Sequence, residues 1–196
     1  MLLATPSGCK LILIFNLSKT SAEPHFDDSA LFPCFATLTS ILAKKSADAV
    51  EKFLHTIIST DKYPLTRFNN TNATEMAKVL ENSYRAMNIA FIVEWSRFAE
   101  EAGVNLYEVV NAIRLRPTHS NLMYPGIGVG GYCLTKDPLL ASWARKSFFG
   151  SDSDLTMSVN SVSVNDQMPI YAFNRLIEIF GHLVNKNVIF LGVSYR

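Results

Sequence analysis

Cysteine is scarce in this 196-residue chain, occurring at positions 9, 34 and 133 only. An odd count without regular spacing excludes a disulfide framework. No Cys-x-x-Cys pair or His/Cys cluster supplies zinc ligands, and the histidines at 25, 55, 119 and 182 are too scattered to add any. Long hydrophobic runs are missing as well: the apolar stretch Leu11–Phe15 is too short to span a bilayer. Lys10 follows the first apolar residues instead of preceding them, so the start lacks the order of a signal peptide. Neither charge sign dominates: net charge is +1, with no basic tract and no acidic tail, which excludes nucleic acid as the obvious partner. Together these scarcities predict a reduced, cytoplasmic protein with no metal, no membrane and no nucleic acid.

What is present is enough apolar residue, 48%, to build a substantial core. Lys10–Leu17 reads as a buried strand and residues 18–33 as loop. Residues 44–58 put Ala47, Val50, Phe53, Leu54 and Ile57 on one face at helical spacing, with Ser46 as N-cap. The strongest local signal begins at Asn72-Ala-Thr-Glu75, which fits a capping box. No glycine or proline then interrupts the chain until Gly103, a natural C-cap. Met76, Leu80, Tyr84, Met87, Phe91, Trp95, Phe98 and Ala102 recur every three or four residues along it. The predicted helix, 74–102, has about 29 residues and a length of about 44 Å, so it runs through the middle of a larger body or lies on a dimer partner. A shorter helix is predicted over Leu106–Ile113, another from Pro138 to about Phe148, and one closing at Gly181 that starts or kinks at Pro169. Asn187–Leu191 reads as a buried parallel strand with no second strand to pair with.

Four of the nine glycines fall within residues 126–131, immediately before Cys133. Gly126, Gly128 and Gly131 match G-x-G-x-x-G literally, but a dinucleotide site needs a strand before that turn and a helix directly after it. The competing reading is a loop that lets backbone approach a ligand closely. A lone cysteine is ordinarily a small buried hydrophobe. Placed before a helix, and with Lys136 nearby, Cys133 is instead a candidate nucleophile. On the long helix Lys78 and Asn82 share a face. Their ordinary reading is a solvated surface, and the other is a donor pair for one oxyanion. Asp137 caps the helix opening at Pro138, activates a water, or does both.

Three segments carry a resemblance. Thr74–Phe91, with Glu-Asn-Ser-Tyr-Arg inside it, resembles the central helix of the UDP-glucose/GDP-mannose dehydrogenase family. Gly128-Val-Gly-Gly-Tyr-Cys-Leu-Thr-Lys-Asp-Pro138 is similar to its catalytic cysteine loop, and Lys186–Arg196 to the first strand of its C-terminal nucleotide-sugar domain. Order and spacing agree in all three. Details of the Arg-Pro-Thr-His-Ser-Asn stretch look closest to the UDP-N-acetylhexosamine branch.

The resemblance implies oxidation of the C6 alcohol of a UDP-sugar to a carboxylate with two NAD per turnover, through a cysteine thiohemiacetal and thioester. Carried over by position, Cys133 is the nucleophile, Lys78 and Asn82 polarise the C6 oxygen, and Asp137 serves the hydrolytic water. Asn121, Gly130, Arg116 and Lys136 fall on substrate-binding positions, Arg116 by reaching a neighbouring subunit. The expected fold is a mainly α central dimerisation domain with flanking remnants of α/β Rossmann-like domains. Residues 1–60 are then a remnant of the NAD-binding domain, 61–182 the helical domain with the cysteine loop, and 183–196 the first strand of a truncated C-terminal domain. The family's opening strand and phosphate-binding turn find no match here. The 196 residues are therefore expected to be an inactive fragment, with a non-enzymatic dimerisation remnant or an unrelated helical binding domain as alternatives.

Overall fold

The computed structural model describes the backbone of residues 11–15, 44–68 and 71–191, and it is predominantly helical. The loop expected over 18–33, Cys9 and Cys34 lie outside the described residues. In order the elements are β1 (Leu11–Phe15), α1 (Lys44–Ile57), α2 (Thr71–Glu101), α3 (Leu106–Arg114), a 3-10 turn (Pro117–His119), α4 (Cys133–Phe149), α5 (Thr156–Asp166), α6 (Met168–Phe180) and β2 (Asn187–Leu191). The chain divides into two compact units, residues 21–83 and residues 1–20 with 84–196, and the boundary falls within α2.

In the unit 21–83, α1 starts at Lys44, so Ser46 lies inside the helix and is not its cap. Ala47 and Ile58 are buried, whereas Phe53 and Ile57 stay exposed. Arg67 ties the following segment back to α1 through Asp48 at 2.6 Å and Glu51 at 3.4 Å. The helix α2 begins at Thr71, so Asn72 is already helical and does not cap it as the capping-box reading required.

The C-terminal end of α2 follows expectation in detail. Gly103 sits at φ +67, its N–H donates to Glu100, and the Val104 N–H donates to Ala99 at 2.8 Å. This pair of bonds is a Schellman closure. The face of α2 that the chain itself covers is the small-residue one. The large apolar stripe is exposed, with Phe91 at 53%, Trp95 at 46% and Phe98 at 58%, while Ala86, Ala90, Val93 and Ala99 face inward. Small residues let neighbouring chain come close to the helix backbone: the Asn165 side chain of α5 reaches the Ala86 carbonyl at 3.1 Å. Ile92, Ala99, Leu106 and Val110 form a core cluster between α2 and α3, with Leu122, Met123 and Tyr124 packed against it.

The helix α4 begins at Cys133, five residues before the expected start, and Pro138 is inside it. Pro138 has no N–H to donate to the Leu134 carbonyl, a cost offset by its complete burial. Asp137, likewise inside the helix, is not an N-cap; the capping position is Tyr132. Ser142 joins α4 to the start of α5, donating to Asp154 at 2.7 Å and accepting from the Leu155 N–H at 3.0 Å. Pro169 is the second residue of α6, so a new helix starts there after a break at Gln167. Tyr171 and Arg175 of α6 both hydrogen-bond Glu100 of α2.

The last strand does have a partner: β2 pairs in parallel with β1, Leu11 against Asn187 through Phe15 against Leu191. It is not buried, since Ile189 is 40% exposed and Phe190, on the opposite face, 65%. A parallel strand is buried only when helices cover both faces, and two strands form the whole sheet among the described residues.

Candidate active site

Residues 122–129 are half-buried and residues 130–133 are exposed, so the glycine-rich loop is held along its first part and free at its tip. The loop is held at one point by close packing. Gly128 has φ +121, and a Cβ there would lie 3.0 Å from the Asn165 carbonyl oxygen and 3.2 Å from the Pro169 ring. Only glycine fits that position. A Cβ on Gly130 would meet nothing within 4 Å, so the protein's own packing does not require glycine there.

Cys133 is the first residue of α4 and is exposed, which rules out the buried-hydrophobe reading. At the opening of a 17-residue helix its sulfur lies where backbone amides lack intrahelical partners and where negative charge is favoured. Tyr132 offers those amides no side-chain cap. Thr135 reaches back from the first turn to the Gly131 carbonyl at 3.2 Å, tying the helix to the loop.

Lys136 and Asp137 join Cys133 in one cluster. The Lys136 ammonium is 2.7 Å from the Asp137 carboxylate and 5.2 Å from the centre of the Tyr132 ring. The Asp137 side chain is only 8% exposed. Its hydrogen bond is the largest cause holding the Lys136 pKa above the usual lysine value, with the charges of Asp137, Cys133 and Tyr132 adding to it. Lys136 therefore stays cationic one helical turn from the sulfur.

Lys78 and Asn82 lie on α2, one turn apart on the same face, and belong to the unit 21–83. Asn82 is 3% exposed, and half-buried Lys78 is 3.5 Å from Glu81. A solvated face is thus excluded for Asn82. Arg116 is exposed and opens the 3-10 turn. Asn121 donates to the Tyr84 hydroxyl at 2.6 Å. Sequence reading missed Tyr84 as that partner. It also missed Tyr107, Asn111 and Arg114, although their i, i+4, i+7 spacing along α3 was available as a signal. Nothing in the sequence marked Asn165 as the neighbour of Gly128.

The G-x-G-x-x-G match does not build a dinucleotide site. No strand leads into it among the described residues, and the chain before it, Leu122–Gly126, is irregular. The residues described here do not fit NAD, and none is assigned to it.

A glycine loop closing on an exposed cysteine at a helix start, with a buried carboxylate one turn on, lies entirely within residues 72–167. That stretch matches the central domain of the UDP-glucose/GDP-mannose dehydrogenase family. Residues 72–167 are a central domain of this family. It is 37% identical over 163 residues to a UDP-N-acetyl-D-mannosamine dehydrogenase of Pyrococcus horikoshii, covering 79% of this chain and 35% of that one. The enzyme of the same name from Methanocaldococcus jannaschii is 32% identical over 154 residues, covering 78% and 33%. The solved structure of UDP-D-ManNAc dehydrogenase from Pyrococcus horikoshii superposes with TM-score 0.52 at 34% identity, over 70% of this chain and 30% of that one. An NDP-N-acetyl-D-galactosaminuronic acid dehydrogenase from Methanosarcina mazei superposes with TM-score 0.53 at 26% identity, over 65% and 30%. The chain spans about a third of the length of the curated relatives it matches. Within the family match fall Lys78, Asn82, Cys133 and Asp137 together.

Proposed function

We propose that this chain is the central, cysteine-bearing part of a nucleotide-sugar 6-dehydrogenase that oxidises the C6 alcohol of a UDP-N-acetylhexosamine to a carboxylate. The observation that carries the reading is Cys133, exposed at the first position of α4 directly after the glycine loop. The nucleotide-sugar class follows from the family, and the N-acetylhexosamine is the substrate for which its relatives are named.

NAD is the oxidant that the family implies for the whole protein. The chain's own residues account for the steps between oxidations. The Cys133 thiolate adds to the C6 aldehyde carbon, and the C=O pair of electrons moves to oxygen. That oxyanion is met by donors: the first-turn amides of α4 beside the sulfur and, by family position, Lys78 and Asn82. In the whole protein the thiohemiacetal carbon would lose a hydride to NAD while the hydroxyl proton leaves, which would give a thioester. Water attacks its carbonyl carbon, the C–S bond breaks, and the thiolate leaves. Asp137, buried and paired with Lys136, takes the water's proton in this reading. Asn121, Gly130, Arg116 and Lys136 contact the sugar nucleotide in this reading, Arg116 from a partner subunit.

The dimer rests on α2, residues 74–102 in the expected span, whose aromatic stripe is exposed. Flanking Rossmann-like remnants at residues 1–60 and 183–196 complete the proposed architecture, with the helical domain over 61–182. No helix among the described residues is long and apolar enough to cross a membrane. The proposed location is the cytoplasm, and the 196 residues by themselves are expected not to reduce NAD. A non-enzymatic dimerisation role is the alternative.

Capture of the substrate aldehyde separates the two. The chain is treated with iodoacetamide with and without a UDP-N-acetylhexosamine 6-aldehyde, and alkylation at Cys133 is followed by mass spectrometry. Capture as a thiohemiacetal should slow alkylation about tenfold, equivalent to about 1.4 kcal/mol of protection. Equal rates at saturating aldehyde would leave only the dimerisation remnant.

A further inference from the structure

The segment between the 3-10 turn and the glycine loop is fastened at successive points. The Arg114 Nε donates to the Ser120 carbonyl at 3.0 Å. Asn121 donates to the Tyr84 hydroxyl on α2. Leu122, Met123 and Tyr124 pack on the core cluster of α2 and α3. The Tyr107 hydroxyl donates to the Pro125 carbonyl at 3.3 Å.

Tyr124 is the centre of these contacts. Its ring stacks on Tyr107, with centroids 5.8 Å apart and planes 18° from parallel. The Arg114 guanidinium lies 4.8 Å from its centroid, and its hydroxyl donates to Asn111 Oδ1 at 2.5 Å. Tyr107, Asn111 and Arg114 are spaced i, i+4, i+7, so one face of α3 forms a cradle for this one ring. An aromatic stack contributes about 0.5–1.5 kcal/mol beyond burial, and an exposed cation–π contact about 0.5–1. Burial pushes the Tyr107 phenol up from its ordinary value, further into the protonated form that donates to Pro125.

The order along the chain gives this cradle its consequence. Tyr124 precedes the glycine loop, Gly128 is wedged against Asn165 and Pro169, and α4 begins at Cys133. Between the wedge and the helix lie half-buried Val129 and then Gly130, Gly131 and Tyr132, which are exposed. Flexible glycines transmit no geometry by themselves, so the path of the tip is set by what holds its N-terminal end.

We propose that Tyr124 is a positioning residue for the catalytic loop: docked in the Tyr107–Asn111–Arg114 cradle, it fixes the start of the glycine loop so that the tip beside Cys133 is presented to the sugar. It touches no reacting atom, and it rests on the reading of Cys133 as the nucleophile. Tyr124→Phe keeps the stack and the cation–π contact and loses one hydrogen bond; Tyr124→Ala loses all three.

Two measurements on the 196-residue chain test it. Amide hydrogen exchange of Ile127–Tyr132 should quicken about tenfold or more in Tyr124→Ala, while amides of α5 and α6 keep their rates. Alkylation of Cys133 by iodoacetamide without aldehyde should stay within about twofold of wild type, whereas the slowing caused by the aldehyde should be lost and should return in Tyr124→Phe. A residue that merely held the fold together would change exchange everywhere and leave no such split. If Tyr124→Ala fails to fold, Tyr107→Ala, which removes the stacked ring and the hydrogen bond to Pro125, carries the same expectation at smaller size. Unchanged exchange in the loop, or aldehyde capture intact in folded Tyr124→Ala and in Tyr107→Ala, would overturn the proposal. Failure of wild type to capture aldehyde, with the exchange effect present, would instead remove the nucleophile reading and leave Tyr124 as the anchor of the loop.

Discussion

Gly128 and Gly130 stand two positions apart in one loop and answer to different demands. At Gly128 the backbone is at φ +121 and the space for a Cβ is taken by the Asn165 carbonyl and the Pro169 ring. Both costs fall on any substitution, and the neighbours are backbone and a ring that cannot swing aside. Gly128→Ala should therefore lower the free energy of unfolding by about 2 kcal/mol. Gly130→Ala, with open space and no left-handed backbone, should change it by no more than about 0.5 kcal/mol. Urea unfolding followed by circular dichroism compares the two, and equal shifts would contradict the packing described here. Four glycines before a cysteine could be read from sequence as a loop made for close approach. Which glycine the fold requires could not, because Asn165 and Pro169 lie about forty residues away in the chain and no local pattern reports a long-range contact.

At the scale of elements, periodicity and punctuation found the helices and misplaced some of their ends. The length of α2 was readable because no glycine or proline interrupts it before Gly103. Its burial was not, because spacing shows that a stripe exists without showing which stripe is covered. The start of α4 was missed because Asp137-Pro138 is a sound opening for a helix. The complete burial of Pro138 let the helix extend backwards past it to Cys133. That shift matters for the site, since it moves the sulfur from the approach of the helix to its first residue. The pairing of α6 on α2 yields a pH dependence that sequence could not show. Burial and the hydrogen bond to Glu100 push the Tyr171 phenol up to about 12 from an ordinary value of 10.0. The folded state thus holds this proton more tightly than the unfolded chain. The stability it contributes is complete below pH of about 10 and is lost as pH rises towards about 12. The difference in urea midpoint between wild type and Tyr171→Phe should accordingly shrink across that interval. A difference constant from neutral pH to the alkaline limit would mean that the Tyr171–Glu100 bond does not form.

At the scale of the whole chain, the exposed face of α2 is the surface that the proposed dimer would cover. An amphipathic helix in an isolated domain turns its large apolar residues inward. Here, within residues 84–196, Ala86, Ala90 and Val93 are buried while Phe91, Trp95 and Phe98 are about half exposed and touch one another, at 6.2 and 5.9 Å between ring centroids. Three rings of about 200 Å² each, half exposed, leave on the order of 300 Å² of apolar surface per chain. Covering that area on both partners contributes about 15 kcal/mol at about 25 cal/mol per Å². An association cost of about 4–15 kcal/mol offsets much of that gain, which makes the contact a weak one that dilution reverses. The chain should therefore be a dimer at tens of micromolar and should dissociate on dilution in sedimentation velocity. Phe91→Glu with Trp95→Glu places like charges across the symmetric contact and removes two of the three rings. Because both positions are exposed in the folded chain, helix content should be unchanged while the double variant sediments as a monomer throughout the range. A wild type that is already monomeric at tens of micromolar, or a double variant that remains dimeric, would show that this stripe does not hold two copies together.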